Sequence, residues 1–189
     1  MLKIAIVLGS TRPNRVGVIV AEWVSKLADA RTDAEFELVD VAGLGLPLLD
    51  EELPPAVGQY VRQHTRDWAA KVASFDAFVF VTPEYNHSVP AGLKNALDFV
   101  CAEWADKAAG FVSYGVAGGI RAVEHLRLIL AELQVATVRT QLALNSYADF
   151  ENFYDLKPTP QHEETLNAVL DQVMSWGTAL QAVRQQRTA

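Results

Sequence analysis

The chain has 189 residues, of which 50% are hydrophobic and 21% are charged, and this composition is typical of a folded globular protein. It excludes an intrinsically disordered chain, and we expect residues 1–189 to form a single domain. Sixteen Lys and Arg residues against 23 Asp and Glu residues give a net charge of −7, which argues against a nucleic acid or an anionic membrane as partner. The apolar run at the N-terminus is too short for a signal peptide or a membrane span, so we expect a cytoplasmic protein.

Buried-strand and helix patterns alternate along the chain. Short apolar runs that end in glycine or proline indicate strands covered on both faces, and apolar residues at helical spacing indicate the helices between them. The predicted strands are 3–8, 36–40, 75–81, 108–114 and 135–144. The predicted helices are 16–27, 60–72, one from about 88 to 101 or 104, 119–133, and a C-terminal helix with the apolar stripe Leu166, Val169, Leu170, Val173, Met174 and Leu180.

This alternation predicts an α/β fold, a doubly wound three-layer sandwich with a parallel sheet between two helical layers. Ligands of such folds bind beyond the carboxyl ends of the strands. Three loops at those ends are therefore the candidate sites.

The first candidate loop, residues 9–17, leads from the first strand into a helix. It offers free backbone N–H groups, two hydroxyls and the guanidinium groups of Arg12 and Arg15, which together suit a phosphate monoester. It lacks the spacing of a nucleoside-triphosphate loop and of a dinucleotide fold. The alternative is a polar turn with solvated arginines.

The second loop, residues 83–90, follows the strand predicted at the sheet centre. Its peptide groups and Tyr85 can face the edge of a planar heteroaromatic ring. A turn bounded by prolines with a helix cap is the alternative. The third loop, residues 113–119, has three glycines in five positions, which permit close backbone approach to a ligand but also mark ordinary turns.

The segments GSTRPNRVG, TPEYNHSVPAGLKNALDFV and SYGVAGGIRAVEHLRLIL resemble the NADPH-dependent FMN reductases. This flavodoxin-like group includes azoreductases, chromate reductases and quinone reductases. The resemblance implies a five-stranded parallel sheet of order 2-1-3-4-5, FMN as cofactor and NADPH or NADH as co-substrate. It also implies a homodimer or a homotetramer with the flavin near the subunit interface.

Carried over by residue, the resemblance assigns cofactor-binding positions in all three loops. Many family members have Ser or Thr near position 15 or 16, so here Arg15 is expected to take over part of the phosphate contact. The implied phosphate contacts are Ser10, Arg12, Arg15 and Val16; the ring and ribityl contacts are Pro83, Glu84, Tyr85 and Asn86; and the other ring edge is bordered by Ser113, Gly115, Gly118 and Gly119.

The expected function is electron transfer from NAD(P)H to a small acceptor by ping-pong hydride transfer, the acceptor being a quinone, an azo compound, a metal oxyanion or a free flavin. The flavin carries the chemistry, so no catalytic side chain is required. His87 is a candidate proton donor, with a surface or packing role as the favoured alternative. The alternative is a non-enzymatic electron carrier or redox-sensing partner. No metal site is expected, because the histidines are scattered and Cys101 stands alone.

Four further features have open assignments. Trp104, the loop 43–55 and the aromatic run Tyr147, Phe150, Phe153 and Tyr154 are candidates for a subunit interface or an acceptor pocket, or they cap the ends of the sheet. Cys101 is expected as a packed, inert thiol in a helix, with a redox-active thiol as the alternative.

Overall fold

Five strands form the predicted parallel sheet. The computed structural model describes residues 1–187. The sheet strands are β1 (Leu2–Leu8), β2 (Ala34–Asp40), β3 (Ala77–Pro83), β4 (Lys107–Gly115) and β5 (Val135–Asn145). All neighbouring pairs are parallel and the order is β2-β1-β3-β4-β5, which confirms the predicted fold class and strand order.

Five helices cover the two faces of the sheet. They are α1 (Gly17–Asp29), α2 (Gln63–Ala73), α3 (Ala91–Asp98), α4 (Ile120–Glu132) and α5 (Pro160–Arg187). α1 and α5 pack on one face, against alternate strand residues such as Ile4 and Ile6, and α2, α3 and α4 pack on the other, against Ala5 and Val7. Each fully buried large aliphatic side chain contributes about 1.5–3 kcal/mol, so these two apolar layers hold the sheet and helices together.

α2 and α3 are shorter than predicted, because tertiary contacts take over their ends. The Glu51 carboxylate accepts hydrogen bonds from the backbone N–H groups of Val61 and Arg62, so α2 begins at Gln63 and not at residue 60. α3 ends at Asp98, and Phe99 and Val100 in the turn that follows are both buried in the core.

The prediction of a helical Cys101 is therefore wrong. Cys101 lies in the turn after α3, is half-buried, and donates its backbone N–H to the Tyr60 hydroxyl. Trp104 is fully buried in a short 3-10 turn (Ala102–Trp104), with its ring 4.8 Å from that of Phe78. Its position in the core excludes a surface or interface role within this chain's fold.

The aromatic run after β5 forms a small hairpin that the sequence did not predict. Its strands are β6 (Phe150–Glu151) and β7 (Asp155–Leu156). Phe150 in β6 is buried, whereas Phe153 in the turn between the two strands is 60% exposed. The loop after β2 contains two 3-10 turns, Val41–Leu44 and Pro55–Val57. Within residues 1–187, no helix has the length and apolar content needed to cross a membrane.

Lys107 is buried at the amino end of β4, far along the strand from the candidate loops. Its ammonium donates to the Val72 carbonyl over 2.7 Å and lies above the Phe78 ring. Burial, and secondarily the nearby charge of Arg184, lowers the pKa of Lys107 to about 8. The Asp76 and Glu103 carboxylates act in the opposite direction, but burial is the largest effect.

We predict that Lys107→Met stabilises the protein at pH 7 by about 1–3 kcal/mol, because Met fills the site without a buried charge. The unfolded chain binds the Lys107 proton more tightly, so wild-type stability rises as pH increases from about 8 toward 10.5. The advantage of the variant should shrink over that window. Urea unfolding at pH 7 and pH 10 measures both effects, with the exposed Lys26→Met as control; a destabilised Lys107→Met at pH 7 would contradict the prediction.

Candidate functional site

The three predicted loops leave the sheet at one level of its carboxyl edge. Leu8 at the end of β1 pairs with Val81 in β3, and Pro83 at the end of β3 pairs with Tyr114 in β4. The Gly9 N–H extends the first pairing by bonding to the Val81 carbonyl at 2.9 Å. The register of the parallel strands therefore brings the loops together, as predicted.

A hydrogen bond joins the first loop to the second. Ser10 is fully buried, and its Oγ lies 2.9 Å from the Tyr85 hydroxyl. Tyr85 and Ser88 exchange two backbone hydrogen bonds across a tight turn, with Asn86 and His87 at φ of 49° and 73°. This left-handed pair makes a turn of the hairpin type, which fixes where the Tyr85 ring lies.

Glu84 joins the second loop to the third. Its carboxylate forms an ion pair with the Arg121 side chain and accepts the Arg121 backbone N–H, 3.2 Å away, at the start of α4. The Glu84 side chain is only 7% exposed. The buried carboxylate therefore caps α4 and holds the loop after β3 against it.

The glycines of the third loop allow a tight turn above β4. Gly118 and Gly119 both adopt φ of +69°, and a Cβ at Gly119 would lie 2.8 Å from the Ser113 Cβ. Ser113 is buried and donates its hydroxyl to the Gly118 carbonyl at 2.6 Å. These three residues thus shape the loop from beneath.

The two arginines of the first loop have different surroundings. Arg15 is half-buried and forms an ion pair with Asp40 at the end of β2, while its Nε is buried without a hydrogen-bond partner among the described residues. Arg12 is exposed, and across residues 1–187 no carboxylate forms an ion pair with it. Val16 is the N-cap of α1 and has no side-chain acceptor for the N–H groups of the first turn.

A cleft of about 270 Å³ opens among these loops, near the lower end of the range for small-molecule sites, roughly 300–1,000 Å³. Half of the predicted cofactor-binding residues line it. They are Arg12, Val16, Pro83, Glu84, Tyr85 and Gly115. The other predicted residues, Ser10, Arg15, Asn86, Ser113, Gly118 and Gly119, lie in or beneath the surrounding loops and do not line it.

Three aromatic side chains that were not among the predicted cofactor contacts also line the cleft: Tyr114, Phe150 and Phe153. Tyr114 is 7% exposed, and burial raises the pKa of its phenol well above the usual value. Phe153 contacts the Tyr147 ring edge-on, with the centroids 5.2 Å apart. The position of Tyr114 in the motif SYG was a usable signal. Phe150 and Phe153 belong to the aromatic run that the sequence offered as a candidate acceptor pocket, although the hairpin that carries them was not predicted.

A second cavity, of about 370 Å³, lies between the loop after β2 and the start of α3. Asn95 fixes that loop, since its amide donates to the Pro47 carbonyl and accepts the Leu49 N–H. Thr11 and Gly92 also line this cavity, so it borders the first loop.

Comparison with known proteins agrees with this architecture. The family model of the NADPH-dependent FMN reductases matches residues 2–149. An NAD(P)H-dependent FMN reductase of Nectria sp is 36% identical over 159 residues, 79% of each chain. A quinone reductase of Escherichia coli is 30% identical over 97% of each chain. A flavoenzyme NAD(P)H:(acceptor) oxidoreductase from Paracoccus denitrificans has the same fold, with a TM-score of 0.72 at 21% identity over 95% of this chain and 98% of that one.

The fold and its relatives define a flavodoxin-like oxidoreductase. The chain belongs to the NADPH-dependent FMN reductase family. It is therefore an enzyme, with FMN as its cofactor and NAD(P)H as co-substrate, and the family membership excludes the alternative of a non-enzymatic carrier.

The residues of the cleft fit FMN. A phosphate monoester brings only acceptor oxygens at neutral pH, and the uncapped first turn of α1 and the unpartnered Arg15 Nε are donors without acceptors. The aromatic lining suits a planar ring. The chemistry of the donor set thus matches the two ends of the cofactor.

We predict that Glu84→Gln lowers the free energy of unfolding by about 1 kcal/mol, because the amide keeps the backbone bond to Arg121 but loses the charge pair. Chemical denaturation at pH 7 measures the change. Glu124→Gln is the matched control, since Glu124 is exposed and lies 3.9 Å from Arg127. Equal effects of the two variants would show that the buried cap has no special role.

Proposed function

We propose that FMN lies in the cleft with its phosphate at the start of α1 and its ring along the loop after β3. The phosphate contacts are Ser10, Arg12, Arg15 and Val16, and the ring contacts are Pro83, Glu84, Tyr85 and Asn86, with Ser113, Gly115, Gly118 and Gly119 shaping the far edge. The observation that carries this proposal is the set of unused donors at the first turn of α1 beside an aromatic cleft.

The protein would then pass electrons from NAD(P)H to a small acceptor by a ping-pong cycle. Bound FMN supplies the hydride chemistry, accepting a hydride from the nicotinamide and delivering two electrons to the acceptor. In this cycle NAD(P)H and the acceptor occupy the same face of the flavin in turn.

The chain's own contribution to this cycle is binding and orientation. Two backbone hydrogen bonds between Tyr85 and Ser88 close the turn, and Glu84 fixes the loop to α4. His87 is exposed at the turn, with its ring 5.8 Å from that of His125. His87 is accounted for by its position in the turn, so we assign it no catalytic role.

A planar aromatic acceptor such as a quinone is favoured by the hairpin at the cleft mouth. Phe153 is 60% exposed, lines the cleft, and is braced edge-on by Tyr147. An exposed apolar ring beside a site offers a stacking surface to a planar substrate. Two relatives bear matching names, the quinone reductase of Escherichia coli and a 2-hydroxy-1,4-benzoquinone reductase of Burkholderia sp, the latter 34% identical over 71% of this chain.

Steady-state kinetics with NADPH and a benzoquinone test the proposed function. We expect parallel double-reciprocal lines as both substrates are varied, because one site serves both in turn. Intersecting lines would mean that both substrates bind together and would overturn the ping-pong cycle. No turnover with quinones, but turnover with azo compounds, metal oxyanions or free flavin, would overturn only the choice of acceptor.

We also propose that the chain forms a homodimer or a homotetramer through the loop after β2. Leu48, Leu53, Val57 and Val61 on this segment are 46–82% exposed. Exposed apolar side chains grouped on one segment are typical of interfaces. Sedimentation velocity is expected to give twice or four times the chain mass of 20.7 kDa, and a monomer at micromolar concentration would contradict the proposal.

A further inference from the structure

Gly17 and Tyr114 fit together at the first turn of α1. A Cβ on Gly17 would lie 2.5 Å from the Tyr114 hydroxyl oxygen and 2.7 Å from the Leu8 Cδ1. Real Cβ atoms do not approach so closely, so the absence of a side chain at position 17 is what admits the phenol. The Tyr114 hydroxyl therefore lies against the positive end of α1, although β4 is two strands away from β1.

The surroundings of Tyr114 keep its hydroxyl protonated. Burial is the largest effect on this phenol and raises its pKa. The neighbouring Ser10 hydroxyl and the positive charges of Arg12 and Arg15 lower the pKa but do not outweigh burial. At neutral pH Tyr114 is thus a neutral O–H donor within the electrostatic range of both arginines.

The hydroxyl has bonding capacity that the protein alone does not exhaust. A phenol donates one hydrogen bond and accepts others. The nearby Ser10 hydroxyl already forms a hydrogen bond with the Tyr85 hydroxyl. Tyr114, Arg12 and Val16 all line the same cleft. A neutral donor beside two cations and a helix N-terminus is suited to an acceptor-only anion.

We propose that the Tyr114 hydroxyl donates a hydrogen bond to the phosphate monoester of FMN, through the gap left by Gly17. This inference rests on the proposed location of FMN. It adds a phosphate contact from β4, the strand whose following loop borders the ring, so one residue links the two ends of the cofactor site.

Tyr114→Phe tests the proposal with two ligands, FMN and riboflavin, which share the ring but differ in the phosphate. We expect the dissociation constant for FMN, from quenching of flavin fluorescence, to rise about tenfold, in the range of one charge-assisted hydrogen bond. The constant for riboflavin should stay within about twofold. A Tyr114 that only packs in the core would weaken both ligands equally or neither, and either result overturns the proposal.

Two control variants separate the proposed Tyr114 contact from the proposed location of FMN on which it rests. Tyr60→Phe removes a tyrosine hydroxyl that is hydrogen-bonded to Glu103 and Cys101, outside the cleft, and should leave both constants unchanged. Arg12→Ala should weaken FMN and spare riboflavin. If Arg12→Ala has no effect on FMN, the phosphate lies elsewhere and the proposed location fails, whatever Tyr114→Phe gives.

A rescue variant keeps the test independent of folding defects. In Tyr114→Phe the phenol oxygen is gone, so Gly17→Ser added to it can place a new hydroxyl at the first turn of α1 once the Leu8 side chain and the ring at position 114, whose Cζ lies 3.3 Å from the new Cβ, adjust. We expect this double variant to recover part of the lost FMN affinity, whereas Gly17→Ser alone clashes with Tyr114 and weakens FMN. A double variant no better than Tyr114→Phe, with an unchanged melting temperature, would contradict a hydroxyl-specific role.

Discussion

The parallel register of β1, β3 and β4 is the constraint on which the site depends. Because Leu8 pairs with Val81 and Pro83 pairs with Tyr114, three loops distant in sequence begin at one level. Short-range bonds then join them: Ser10 to Tyr85, and Glu84 to the start of α4. A shift of one residue in any strand would send the buried side chains to the wrong helical layer, so the core that stabilises the sheet also fixes the cleft.

Charge is distributed so that a protein of net charge −7 still offers an anion site. Asp40 neutralises and orients Arg15, while Arg12 stays exposed at the opening and the first turn of α1 has no side-chain cap. Local geometry thus outweighs the overall charge, since exposed charges more than about 10 Å apart are largely screened at physiological salt. The buried phenol of Tyr114 adds a donor to this site without adding charge.

The strand order was implied by the resemblance to the FMN reductases. Local pattern in the sequence was sufficient for the strands and the three loops, because buried parallel strands and glycine-rich turns leave short-range signals. It could not reveal contacts between distant positions. The pairing of Arg15 with Asp40 and the fit of Gly17 to Tyr114 depend on which strands become neighbours. The helix ends were predicted wrongly for the same reason: the Glu51 carboxylate accepts hydrogen bonds from the backbone N–H groups just before α2. The hairpin after β5 has Asn152 and Phe153 at positive φ in place of the usual glycine, so no turn signal marked it.

The central claim is that the cleft holds FMN where a reduced nicotinamide can reach it. The most direct measurement is an anaerobic half-reaction, in which the FMN-loaded protein is mixed rapidly with a stoichiometric amount of NADPH or NADH and the flavin absorbance is followed. We predict complete loss of the oxidised flavin band in a single turnover, and its return when a quinone is added. Tight FMN binding without reduction by either nucleotide would contradict the claim that this cleft is an open hydride-transfer site.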